Sequence, residues 1–245
     1  MRSSGMVDAL LLAGGLGTRL RSAVPDLPKP MAPVNGRPFL EYLMRHWRGQ
    51  GVGQFFLSVG YRRDAIVDYF ANDYCGSAIN YIVEEQPLGT GGALFLALSE
   101  YSLSSPFLMI NGDTFFPVDY EGLLHTHLAH GADITVALTR VVNNSRYSGV
   151  QLDADGFISN FSAQRGEDGG RVINAGVYLI EPGALEEYVG KPAGVVSFED
   201  VIIPELITNG ARVAGHVAEA PFIDIGIPED YQRCGELLGN LQPCD

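Results

Sequence analysis

The stretch "LLAGGLGTRLRSAVPDLPKPMAPV", Leu11 to Val34, concentrates residues that could bind an anion. Gly14, Gly15 and Gly17 leave a turn with almost no side-chain bulk, which can bring backbone N–H groups close to a ligand. Arg19, Arg21 and Lys29 add positive charge to the same region. Lys29 is one of only two lysines in the chain and stands between two prolines. The prolines limit backbone freedom, so Lys29 can be aimed at phosphate charge with little entropy left to lose. The combination points to a polyphosphate ligand.

Known phosphate loops fit this stretch poorly. A Walker loop needs a lysine directly after its last glycine, and none follows Gly17. The dinucleotide fingerprint needs a third glycine where Leu20 stands. A tight strand-to-helix turn is the plain structural alternative.

These residues need elements to position them. Val7 to Leu12 is short, apolar and bounded by glycines, as a buried strand would be. Similar runs lie at Phe55 to Val59, Ile79 to Val83 and Phe107 to Ile110. Helical patterns occupy Pro38 to Arg48, Arg63 to Phe70 and Gly91 to Ser99 between them. This alternation predicts βαβ units and a mainly parallel sheet with helices on both faces. Ligands of such sheets sit at the carboxyl ends of the strands, so the glycine loop and "NGDT" (Asn111 to Thr114) should open into one crevice.

After Asp133 the pattern changes to strands joined by turns, with Asp155-Gly156 as a hairpin turn. These are expected to be antiparallel and to form a lid over the substrate. Helices near Glu199 to Thr208 and Pro228 to Leu238 finish the chain. The expected organisation is one domain over 1–245, with halves at about 6–132 and 133–245.

Composition narrows the function classes. The chain has 245 residues, 46% of them hydrophobic and 18% charged, which suits a globular domain with a sizeable core. A net charge of −13 argues against a general nucleic-acid surface. No apolar run is long enough to span a bilayer, so no membrane association is expected. The polar N-terminus does not resemble a secretory signal, which makes the cytoplasm the default. Cys75, Cys234 and Cys244 lack the spacing of a disulfide framework or a zinc site. "HTHLAH" brings His125, His127 and His130 together, but a solvated helix surface is the simpler reading. Arg62-Arg63 reads as a helix start facing water.

Taken whole, "LAGGLGTRLR" followed by "PKPMAPV" resembles the nucleotidyltransferases that activate sugar 1-phosphates. The resemblance continues through "EEQPLGTGGA", "NGDTFF", "INAGVYLI" and "FIDIGIPEDY", over most of the chain. It implies a three-layer, Rossmann-like α/β fold with a mainly parallel mixed sheet and an antiparallel sugar-binding subregion. It implies nucleotide contacts from Leu12, Ala13, Gly14, Gly15, Gly17, Thr18, Arg19, Lys29, Glu84, Glu85, Pro87, Gly89, Thr90, Asn111 and Gly112. Sugar-phosphate contacts would come from Asp113, Gly149, Arg165, Asn174, Gly176, Glu199 and Asp224. Arg19, Lys29 and Asp113 would be catalytic, and Asp113 and Asp224 would hold Mg2+. Individually, Asp113 could cap a turn and Asp224 could be a loop carboxylate.

Many relatives carry a sugar-phosphate lysine where this chain has "FSAQR"; Arg165 or Arg171 could replace it. Thymidylyl- and uridylyl-type relatives often present a glutamine near Glu84. A carboxylate only accepts hydrogen bonds, and guanine offers N1–H and N2–H as adjacent donors, so GTP is favoured with Glu84 or Glu85 as reader. Within the guanylyl-type branch, the resemblance is greatest to enzymes acting on D-glycero-α-D-manno-heptose 1-phosphate. Mannose-1-phosphate guanylyltransferase and glucose-1-phosphate thymidylyl- or uridylyltransferase remain alternatives. A regulatory nucleotide-binding subunit and a nicotinamide-dependent dehydrogenase are readings of other classes. The oligomeric state is open, a homodimer included.

Overall fold

The computed structural model describes residues 6–15, 17, 20, 24–141, 149–163, 171–190, 194–226 and 228–239. Strand β1 (Val7–Leu12) leads through the glycine loop to a short antiparallel pair, β2 (Pro33–Val34) and β3 (Arg37–Pro38). There follow α1 (Phe39–Gly49), β4 (Val52–Val59), α2 (Asp64–Phe70), β5 (Asp73–Tyr74), β6 (Ser77–Val83), α3 (Gly89–Glu100) and β7 (Phe107–Asn111). The strand β8 (Thr114–Phe115) and the helix α4 (Tyr120–His130) close the first half. The second contains β9 (Ile134–Val141), β10 (Gly149–Leu152), β11 (Ile158–Ala163) and β12 (Arg171–Ile180). A π-helical turn, Phe198–Ile202, runs into α5 (Ile203–Thr208), and β13 (Val213–Val217), β14 (Ile223–Asp224) and α6 (Pro228–Leu238) complete it.

One mixed sheet joins the two halves in the order β11-β10-β12-β7-β1-β4-β6-β5, with β9 beside β12 and β13 beside β9. The pairs β7–β1, β1–β4 and β4–β6 are parallel, whereas β12 meets β7 antiparallel. β1 is apolar on both faces because both are covered. Ala9 and Leu11 enter a core with Phe39 and Trp47 of α1, Leu123 of α4 and Leu238 of α6. Leu10 enters the other, with Leu94 and Phe95 of α3 and Ile203 and Leu206 of α5. The exception in β1 is Asp8, which is buried and accepts the Ser104 amide at 2.8 Å.

Three expectations need correction. The second half is not wholly antiparallel, because β13 runs parallel to β9 from Val213 opposite Ile134 to Val217 opposite Leu138. β12 makes this possible: it runs back along β9 from Arg171 opposite Val141 to Ile180 opposite Ile134, and the connection through α5 then returns the chain to that same end to begin β13. "HTHLAH" lies on α4, but its histidines do not share a solvated face. His125 is exposed, whereas His127 is buried between Thr135 Oγ1 at 2.9 Å and Glu181 Oε1 at 3.3 Å. Arg62 and Arg63 are less free than a solvent-facing start: Arg62 reaches the Asp26 carbonyl, and Arg63 pairs with Glu85 at 3.1 Å. Among the described residues no helix is long and apolar enough to cross a membrane.

Trp47 is fully buried and is the chain's single tryptophan. Trp47→Ala should lower stability by about 3–5 kcal/mol, as large-to-small core changes do. Urea unfolding followed by far-UV circular dichroism measures it; a loss under about 1 kcal/mol would contradict this packing.

Candidate active site

Parallel register places the carboxyl ends of three strands side by side. Leu12 of β1 lies opposite Ser58 of β4 and Asn111 of β7. The segments that follow β1 and β7, with the loop after β6, therefore wall one crevice. It encloses a cavity of about 510 Å³ lined by Leu12, Gly14, Gly15, Gly17, Lys29, Glu84, Pro87, Gly89, Thr90, Asn111, Gly112, Asp113 and Asp224, among others.

The glycine loop is shaped by its neighbours. A Cβ on Gly14 would lie 2.1 Å from Glu84 Oε1. Gly17 has φ +56°, and a Cβ there would lie 2.8 Å from Lys29 Cβ. Lys29 opens a 3-10 turn, Lys29–Met31, after Pro28. The segment that follows is tied to two helices. Tyr42 of α1 donates to the Val34 carbonyl at 3.0 Å, and Tyr231 of α6 donates to the Pro33 carbonyl at 2.5 Å. Asn35 Nδ2 donates to the Gly235 carbonyl at 2.8 Å.

The two aspartates meet across a second small sheet. β14 pairs antiparallel with β8, setting Asp224 opposite Thr114, and the Ile225 amide donates to the Asp113 carbonyl at 3.0 Å. Lys29 Nζ stands 2.6 Å from Asp113 Oδ2 and 3.5 Å from Asp224 Oδ1. The Gly226 amide donates to Asp224 Oδ1 at 2.6 Å. Burial, then the charge of Asp113, push the Asp224 carboxyl above the usual aspartate range, against the lowering pull of Lys29 and the Gly226 amide. Two carboxylates converging on one cationic atom can hold a small hard cation whose other ligands are phosphate oxygens or water. Among the described residues no group of three or more His, Cys, Asp or Glu forms a metal cage.

The two candidate base readers differ. Glu84 lines the cavity, with Ser58 Oγ donating to Oε1 at 2.7 Å and the Leu88 amide donating to Oε2 at 3.1 Å. The side chain of Glu85 is 83% exposed and turned to Arg63.

The opposite wall is a chain of polar side chains. Thr90 Oγ1 donates to Glu199 Oε2 at 2.5 Å, and Tyr178 OH donates to Glu199 Oε1 at 2.8 Å. Asn174 Nδ2 donates to Tyr178 OH at 2.5 Å, and Asn174 Oδ1 accepts the Gly176 amide at 2.9 Å. Burial, then the Glu199 charge, raise the Tyr178 phenol well above its usual value, so it is a lasting donor. Within this wall Asn111 Oδ1 is buried without a partner.

Not every expected residue lines the cavity. Ala13 is buried, donating its amide to the Ser58 carbonyl at 2.8 Å. Glu199, Asn174 and Gly176 stand behind Thr90 and Asn111, and Gly149 is paired within β10 opposite Ile173. Thr18, Arg19, Arg21, Arg165 and Cys244 lie outside the described residues; Arg171 is on β12, its side chain outside them. The sequence reading missed Ser58, Tyr178 and Val195. Ser58 is the lone hydroxyl in "FFLSV" and Tyr178 sits inside "INAGVYLI", so both carried a signal. Val195, 79% exposed at the cavity mouth, carried none, because bonds between distant segments bring that loop there: the Val196 amide donates to the Leu88 carbonyl at 2.9 Å and the Val196 carbonyl accepts the Gly91 amide at 3.0 Å.

The profile of the nucleotidyl transferase family matches residues 8–239. The chain is 39% identical to D-glycero-alpha-D-manno-heptose 1-phosphate guanylyltransferase of Aneurinibacillus thermoaerophilus, over 95% of this chain and 98% of that one. It is 35% identical to the Campylobacter jejuni protein of the same name, over 92% and 97%. The crystal structure of HddC from Yersinia pseudotuberculosis complexed with GMP-PN superposes with a TM-score of 0.82, at 37% identity, covering 95% of this chain and 99% of that one.

Asp224 yields a stability prediction. A carboxyl raised in the folded state binds its proton more tightly than in the unfolded chain, so ionising it costs stability. That cost is absent below the unfolded value and complete above the folded one. Asp224→Asn should therefore melt higher than the unaltered protein at pH 7, with the gap closing as pH falls through the aspartate range. A scanning-calorimetry series against pH measures it; a lower melting temperature at pH 7 would contradict it.

Proposed function

The chain belongs to the nucleotidyl transferase family, and from that premise we propose that it transfers GMP from GTP to a sugar 1-phosphate. D-glycero-α-D-manno-heptose 1-phosphate is the proposed acceptor, by likeness to the two relatives of that name. The observation that carries the reaction class is the convergence of Lys29, Asp113 and Asp224 at the glycine-lined cavity.

In the proposed reaction a phosphate oxygen of the sugar 1-phosphate attacks the α-phosphorus of GTP. The bond from that phosphorus to the α–β bridging oxygen breaks, and pyrophosphate leaves with the electron pair. The attacking oxygen is already anionic, so no general base is required. The site must bring two polyanions together and hold them in line. Loop amides at Gly14, Gly15 and Gly17, with Arg19, are assigned to the β- and γ-phosphates, and Lys29 to the charge that develops on the departing pyrophosphate. Asp113 and Asp224 fit Mg2+, which when bound would neutralise the α-phosphate and align the attacking oxygen. The half around residues 6–132 is assigned to the nucleotide and that around 133–245 to the sugar phosphate, with Arg165 or Arg171 on the phosphate. A cytoplasmic setting belongs to the same proposal.

Glu84 is assigned as the guanine reader. Its oxygens are oriented by Ser58 and the Leu88 amide and keep lone pairs for N1–H and N2–H, whereas Glu85 is turned to Arg63. A buried polar group left unpaired costs about 1–3 kcal/mol, or roughly ten- to a hundredfold in rate. Glu84→Gln should therefore lose GTP turnover on that scale while dTTP or UTP use stays level or rises, and Glu85→Gln should stay near wild type. ITP, without the 2-amino group, should be the poorer substrate of the unaltered enzyme. Pyrophosphate release across GTP, ITP, dTTP and UTP with heptose 1-phosphate measures all of this. Equal use of GTP and ITP with an indifferent Glu84→Gln would remove Glu84 from the role, and no release with any pair would overturn the function.

A further inference from the structure

Lys29 is claimed by two partners. The proposed reaction, on which this inference rests, needs its ammonium on phosphate oxygens, yet the ammonium lies on both carboxylates assigned to the metal. We propose that Lys29 is the resident counter-cation of the ligand-free site. On nucleotide binding it passes from Asp113 and Asp224 to the triphosphate, and only then is the place between the carboxylates open to a divalent cation.

The ammonium fills the place a metal would take. It is 2.6 Å from Asp113 Oδ2 and 3.5 Å from Asp224 Oδ1, and the Lys29 side chain is only 13% exposed. A second cation on the same oxygens would meet both steric overlap and like-charge repulsion at low local dielectric. The notch holding the ammonium also depends on a missing side chain. A Cβ on Gly226 would lie 2.8 Å from Lys29 Nζ and 2.7 Å from Asp224 Oδ1.

The exchange needs little motion. Pro28 and Pro30 restrict the backbone, and the root of the side chain lies against Gly17, where a Cβ would already be too close, so the outer torsions remain to turn. Lys29 lines the same cavity as Gly15 and Gly17, where the phosphates are assigned, so rotation alone transfers the charge. A triphosphate draws the ammonium away and in the same step leaves two bare carboxylates that call for a cation. Nucleotide and metal should therefore bind with positive coupling, and linkage makes it reciprocal.

With only two lysines, 13Cε-lysine labelling gives two signals, and Lys191→Arg assigns them. Magnesium alone should leave the Lys29 signal in place. A non-hydrolysable GTP analogue alone should shift it, and calorimetry should then show Mg2+ or Mn2+ binding ~tenfold tighter or more. Lys29→Met should bind Mn2+ without nucleotide at least ~tenfold tighter than the unaltered protein, whereas Arg63→Met, which removes a cation that does not touch the carboxylates, should change this by less than about twofold. The proposal is overturned if Mn2+ binds equally well with and without the analogue, or if the Lys29 and Arg63 variants shift its affinity alike. An analogue that does not bind at all would count against the guanylyl reading. The Lys29→Met arm, which uses Mn2+ alone, would still decide the exchange.

Discussion

Two half-buried carboxylates side by side require a positive charge between them, and this constraint organises the structure around the site. Asp113 and Asp224 come from segments over a hundred residues apart and are joined by a two-stranded ribbon. Unit charges about 4 Å apart interact by about 4 kcal/mol at the effective dielectric of a protein surface region, and a cation between two like charges offsets a cost of that order. Lys29 is that cation. The segment that follows its turn is tied to α1 through Tyr42 and to α6 through Tyr231 and Asn35, so α6, remote in sequence, braces the chain next to the charge that the N-terminal loop supplies.

The sheet puts this cluster where a nucleotide can use it. Parallel strands deliver the glycine loop, the Glu84 turn and the Asn111–Asp113 segment to one edge, and antiparallel β12 brings the Asn174–Gly176 turn beside them. The glycine loop, the Lys29 ammonium and a fixed carboxylate, Glu84, thus face one cavity in a protein whose net charge is −13. An anionic ligand is therefore held by that one ammonium and the amides aimed at it rather than by the surface at large.

The parallel half was legible in the sequence because strand ends and glycines coincide there. β1 and α6 fall on the ranges read from periodicity, and α1, α2 and α3 within two residues at each end. The convergence of Gly14 to Gly17 with Asn111 to Asp113 followed from strand direction alone. What resisted reading depended on contacts between distant segments. β13 took its direction from the antiparallel return of β12 along β9, His127 was buried by Glu181 and Thr135, and Val195 reached the mouth through bonds to the Leu88 loop and the start of α3. The sequence also left Glu84 and Glu85 equivalent; Ser58, 26 residues away along the chain, separates them by holding one carboxylate in the cavity.

The account's central claim is that the charge cluster serves transfer at the α-phosphorus rather than folding or ligand capture. Single-turnover transfer from GTP by Asp113→Asn, alongside calorimetric binding of a non-hydrolysable GTP analogue, tests it most directly. The account predicts analogue affinity within a few fold of the unaltered protein and transfer slowed by roughly a thousandfold or more, since a carboxylate assigned to the cation at the reacting phosphate is lost. Transfer at a near-normal rate would contradict it.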